Sequence, residues 1–68
     1  MKIIDKEVYR TIVFYIQDED GTTYIVNYKE ISYMLFGPEW EVMYGEYGEE
    51  VYDEKLKQKL IELAEEEL

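Results

Sequence analysis

Glu7-Val8-Tyr9-Arg10-Thr11-Ile12-Val13-Phe14-Tyr15-Ile16-Gln17 is dense in β-branched and aromatic side chains. Such residues fit a pleated, half-buried surface, so residues 7 to 17 are predicted to form a strand. A period of two places Val8, Ile12, Phe14 and Ile16 on one face and Tyr9, Thr11, Val13 and Tyr15 on the other. Asp18-Glu19-Asp20-Gly21 follows as a turn, with Gly21 supplying the positive φ of a tight hairpin with a bulge. Thr22-Thr23-Tyr24-Ile25-Val26-Asn27-Tyr28-Lys29 reads as the return strand, with Tyr24, Val26 and Tyr28 sharing a face. Both faces of the first strand are substantially apolar. A small monomer covers one face well, and the second calls for a partner chain.

Downstream the periods change. Ser32 is placed to cap a short helix over Tyr33, Met34, Leu35 and Phe36, and Gly37-Pro38 punctuates the chain. Pro38 suits a first helical position, and residues 38 to 44 are expected to form a short central helix stopped by Gly45. Trp40, Met43 and Tyr44 then fall on one side of it, at spacings of three and four. Residues 46 to 52 suit a loop or a short third strand around Val51. From Asp53 to Leu68 the pattern is helical, with a stripe of Leu56, Leu60, Leu63 or Ala64, and Leu68. Its lysines come early and Glu65, Glu66 and Glu67 come last, against the helix dipole, so the last turn is expected to fray. The predicted fold is α+β: a small antiparallel sheet with a short central helix and a C-terminal helix.

The chain's 68 residues are expected to form a single domain, residues 1–68. A domain this small is marginally stable alone, and staples such as disulfides, metals or oligomerisation are usual. The sequence contains no Cys and no His, which removes disulfides, thiolate zinc sites and imidazole ligands. A homodimer is the remaining expectation. Met1-Lys2-Ile3-Ile4-Asp5 is not expected to act as a signal peptide, because acids interrupt the apolar run. Apolar stretches are far shorter than a membrane span, and a cytoplasmic location is expected.

Seventeen acidic residues against seven basic ones give a net charge of −10. Disordered acidic chains are poor in aromatics; eight Tyr, two Phe and one Trp argue for a folded one. The charge disfavours direct contact with nucleic acid or an anionic membrane and suits a partner with a basic groove. Its plainer use is solubility.

No constellation for catalysis is present: no His, no Cys, no phosphate-cradling glycine loop and no nucleophile elbow. The chain is not expected to be an enzyme and no cofactor is expected. No metal is expected either: with Gly21 at the sixth position of a calcium loop, Ile16 and Asn27 would fall on the first and twelfth, and neither fits.

The candidates for partner binding are Trp40, Met43 and Tyr44 together with Glu39, Glu41, Glu46, Glu49 and Glu50. An apolar aromatic centre rimmed by charge is the anatomy of a binding hot spot, where Trp and Tyr are enriched. An aromatic stripe at helical spacing is equally the signature of core, and residue types alone leave both readings open.

Three stretches resemble the small DNA-mimicking uracil-DNA glycosylase inhibitors of short-tailed Bacillus phages. The first is Gln17-Asp18-Glu19-Asp20-Gly21 with Tyr24; the second is Tyr28-Lys29 with Ser32; the third is Trp40-Glu41-Val42-Met43-Tyr44-Gly45. The resemblance implies a dimer of short antiparallel sheets, each with a helix, occupying the DNA cleft of uracil-DNA glycosylase in a host cytoplasm. It implies that Trp40 lines an apolar pocket for the side chain the enzyme wedges into DNA. Glu41 and Tyr44 would flank that pocket, with Glu41 mimicking a phosphate. The chain differs from the family pattern in carrying Trp rather than Phe at position 40, in an insertion around residues 35 to 38, and in a longer helical tail after Asp53. A DNA mimic against another host DNA-binding or defence protein, or a plain acidic dimerisation module, fits the same composition.

Overall fold

A computed structural model describes residues 1–29 and 39–68. Among the described residues four strands, β1 (Lys2–Val8), β2 (Ile12–Gln17), β3 (Thr23–Lys29) and β4 (Glu39–Tyr44), form one antiparallel sheet in sequence order, and a helix, α1 (Glu54–Glu65), follows. The fold is thus α+β. The expected helix capped by Ser32 and the break at Gly37-Pro38 lie outside the described residues.

Two expectations are corrected. The run from residue 7 to residue 17 is two strands, not one. β1 reverses into β2 through Tyr9, Arg10 and Thr11, closed by the Tyr9 amide donating to the Thr11 carbonyl at 2.9 Å. No Gly, Pro, Asn or Asp marks this turn, so local residue types gave no sign of it. Pairing β1 with β2 outweighs continuing one long strand, a tertiary override of local propensity. Val8 still shares a face with Ile12, but as its cross-strand neighbour. Tyr9 and Thr11 belong to the turn, and Tyr9 is exposed.

The second correction is the central helix: Glu39–Tyr44 is strand β4. Six residues fit a helical and an alternating pattern almost equally. A helix that short is unstable alone, whereas a strand gains a full ladder against β3, from Lys29 opposite Glu39 to Tyr24 opposite Tyr44. The alternation puts Trp40, Val42 and Tyr44 on one face and Glu39, Glu41 and Met43 on the other. Met43 therefore does not share a side with Trp40 and Tyr44.

The β2–β3 turn forms around Asp18. Its Oδ1 accepts from the amides of Asp20 (2.9 Å) and Thr22 (3.0 Å), its Oδ2 accepts from the Tyr24 hydroxyl (3.1 Å), and Gly21 adopts φ +88°. After β4 the chain doubles back. The Tyr44 amide donates to the Glu49 carbonyl and the Val51 amide to the Val42 carbonyl, with Met43 bridged to Glu50. The suggested third strand around Val51 is thus a brief bridge that covers the outer edge of β4.

Asp53 caps α1, its carboxylate accepting from the amides of Lys55 and Leu56. The helix lies against the face carrying Phe14, Ile16, Tyr24, Val26 and Val42. With Val51, Leu60 and Ala64 these side chains make up the core. The helix ends at Glu65, and Lys6 Nζ donates to the Glu67 carbonyl beyond it. At the other edge, β1 carries charges and an irregularity at Ile4, features that discourage edge-to-edge pairing. No helix among the described residues is long and apolar enough to cross a membrane.

Candidate interaction site

β4 distributes the candidate binding residues over two faces of the sheet. On the helix side, Trp40 is half-buried, packs against the core and meets Tyr28 with ring centroids 4.8 Å apart. Tyr44, also half-buried, meets Tyr24 at 5.5 Å. On the opposite face, Glu41, Met43 and Glu50 come together around a shallow cleft that also includes Val42 and Gly48. Glu39 is exposed beside them, while Glu46 and Glu49 lie in the turn beyond β4. The eight residues line one edge of the sheet, and the Trp40 ring is on the other side of that edge from the Glu41 carboxylate.

Electrostatically this edge is one-sided. Between residues 39 and 54 there are seven acids (Glu39, Glu41, Glu46, Glu49, Glu50, Asp53 and Glu54) and no Lys or Arg. Among the described residues only Glu41 of these is ion-paired, with Lys29 from β3. The Glu41 carboxylate hydrogen-bonds the Lys29 ammonium and holds its pKa above the usual lysine value. The pair is solvent-exposed, so it aligns two strands more than it stabilises them. Asp53 is committed to capping the helix, and the other five carboxylates are free to face a cation.

The face opposite the helix has an apolar centre of Val13, Tyr15, Ile25 and Met43, each half-buried. No described element covers it. Tyr15 donates to Glu7 (3.3 Å); its hydroxyl pKa is raised, first by desolvation and then by that carboxylate. Asn27 sits in the same face, between Val13 and Glu41 in the register, and its Oδ1 is buried without a hydrogen-bond partner.

Two exposed aromatics escaped the sequence reading: Tyr47, 77% exposed in the turn after β4, and Tyr52, 81% exposed before the helix. Each has an acid beside it, Glu46 before Tyr47 and Asp53 after Tyr52, and at strand spacing Tyr52 meets only Glu50 and Glu54, the signal that marks it as surface. Among the described residues no group of three or more acidic side chains converges as a metal site.

No family model, no curated protein and no solved structure matches this chain. The class defined by fold and site is therefore a small α+β domain with an acidic, aromatic-bearing sheet edge.

Proposed function

We propose that the chain is a DNA-mimicking inhibitor that occupies the DNA cleft of uracil-DNA glycosylase and acts as a homodimer. One observation carries this reading: the β4 edge and the segment that follows it concentrate carboxylates, with a single ion pair among them in the described residues. Duplex DNA carries about one charge per 1.7 Å of axis, and an enzyme that extrudes a base must hold that backbone with cationic groups and amide donors. Unneutralised carboxylates on β4 (Glu39) and on the segment after it (Glu46, Glu49 and Glu50) offer such a cleft the same sign of charge without a scissile base. The field steers encounter, and aromatic groups excluded from water hold the complex.

Motif residues of the first and third stretches are neighbours in space, which supports the resemblance. Asp18 organises the turn and holds Tyr24, Tyr24 meets Tyr44, and the Gly45 amide donates to the Thr23 carbonyl at 2.8 Å. A dimer through the face opposite the helix would bury Val13, Tyr15, Ile25 and Met43.

The position of Trp40 favours a second reading, a plain acidic dimerisation module, because a ring packed on the core has a structural task. One assay separates the two: uracil excision by purified glycosylase, titrated with this protein at two salt concentrations. The inhibitor reading requires near-stoichiometric inhibition that weakens with salt. Excision unhindered at a large molar excess removes the glycosylase as target and leaves the module or a mimic directed at another DNA-binding protein.

A further inference from the structure

We propose that the hollow between Tyr44 and Tyr47 is a seat for an arginine side chain of a protein partner. Five residues line it: Thr22, Thr23, Tyr44, Glu46 and Tyr47. They offer two phenol rings, two hydroxyl-bearing residues and one carboxylate in a space of about 200 Å³. Glu46 has no ion-pair partner among the described residues.

The composition discriminates between ligands. A phosphate or other anion is repelled by Glu46 and its acidic neighbours. A metal ion finds one carboxylate and no second ligand of comparable charge. A purely apolar group gains from the rings but leaves the carboxylate without a partner. A guanidinium suits the rings and the carboxylate together: its plane stacks on an aromatic face, its edge donates to a carboxylate, and its methylene stem lies on the rings. Lysine offers a point charge without the plane and fits less well.

The backbone around the hollow is set before any ligand arrives. The Gly48 amide donates to the Tyr44 carbonyl (2.9 Å), the Tyr44 amide to the Glu49 carbonyl (2.8 Å) and the Gly45 amide to the Thr23 carbonyl (2.8 Å). Opposite, the Thr22 amide is held by Asp18 Oδ1 at 3.0 Å. Tyr47 projects into solvent from a turn tied at both ends, so little backbone freedom is lost on binding. The partner's identity rests on the glycosylase reading above; the assignment to arginine rests on the hollow alone.

Nuclear magnetic resonance on the full chain tests it, with arginine amide as probe and citrulline amide, of the same shape without charge, as control. Arginine amide should shift the Tyr44 and Tyr47 ring signals and the Thr22 and Thr23 methyls in a saturable way, with citrulline amide about fivefold weaker or worse. Tyr47→Ser should abolish the response and Glu46→Gln should weaken it about fivefold, with the remaining spectrum unchanged. Equal responses to both probes, or shifts spread over the acidic surface and retained in Tyr47→Ser, overturn the proposal. In the excision assay, an inhibitory wild type and a Tyr47→Ser variant weaker by about tenfold make the seat a partner contact. A wild type that binds arginine amide but does not inhibit overturns the glycosylase reading and leaves the seat standing.

Discussion

Tyr28 and Trp40 face each other across β3 and β4, with ring centroids 4.8 Å apart and planes inclined by 59°. Trp40 also packs against the core under the helix, so the ring links strand pairing to the helix–sheet layer. Replacing it removes an aromatic contact and half-buried area together. Trp40→Ala is expected to cost about 2 kcal/mol in urea unfolding followed by circular dichroism, and Trp40→Phe less than half of that. An Ala variant with the wild-type midpoint would mean that the ring has no structural role and serves partner binding alone.

Tyr24 gives the protein a pH dependence of known sign. Burial first, then the hydrogen bond to Asp18, push its pKa from 10.0 up to about 12. Between those values the unfolded chain has lost the phenol proton and the native chain has kept it. Its stabilising contribution is therefore whole below pH 10 and is lost as pH rises towards 12. Ultraviolet titration should show Tyr24 ionising near pH 12, with Tyr15 also displaced upward. Asp18→Asn should lower that pKa while leaving it above 10, because desolvation is the larger cause. A Tyr24 that titrates with the rest would refute the contact.

Gly45 is a position where close approach of the β3 backbone leaves little space for a side chain. A Cβ there would stand 3.0 Å from the Thr23 carbonyl oxygen and 3.3 Å from its Cβ and Cγ2. Gly45→Ala is expected to destabilise by about 1–3 kcal/mol, as overpacking does, and to loosen the β3–β4 end. Thermal unfolding measures the first effect and amide exchange at Gly45 the second.

The parts of this architecture legible in the sequence were those with a marked turn or a long period. Gly21 and its acids announced the β2–β3 turn, and the Leu56, Leu60 and Ala64 spacing announced the helix, which stops at Glu65, short of its acidic end. The unmarked turn at Tyr9-Arg10-Thr11 was not legible, because only pairing with Lys2–Val8 creates it. Nor was β4, since Trp40, Met43 and Tyr44 satisfy a helical spacing that the ladder with β3 overrides. That misreading also distorted the site. Period two divides Trp40 from Glu41, whereas the spacing of three and four had put Trp40, Met43 and Tyr44 side by side.

The apolar face opposite the helix predicts self-association. Ile25 lies between Tyr15 and Met43 in the register and points away from α1. Ile25→Glu places an uncompensated charge at the centre of the proposed contact, where an unpaired buried charge is strongly unfavourable. Sedimentation equilibrium should find a dimer for the wild type and a monomer for Ile25→Glu at the same concentration. A wild-type monomer at high micromolar concentration would remove the dimer from the proposal.

Glu49 and Glu50 test whether the acidic edge acts through its field. Both are exposed and neither is ion-paired among the described residues, so replacing them with Gln should leave the unfolding midpoint almost unchanged. Against a basic cleft the double variant should associate more slowly, by about tenfold at low ionic strength, with little change in dissociation rate. Its association rate should also depend less steeply on salt, because two fewer charges contribute to steering. The converse pattern, faster dissociation with an unchanged association rate, would assign the two glutamates to short-range contacts and remove the long-range field as the source of recognition. Stopped-flow association at three salt concentrations distinguishes these outcomes, since screening acts over about 10 Å at 0.1 M and leaves close, desolvated contacts largely intact.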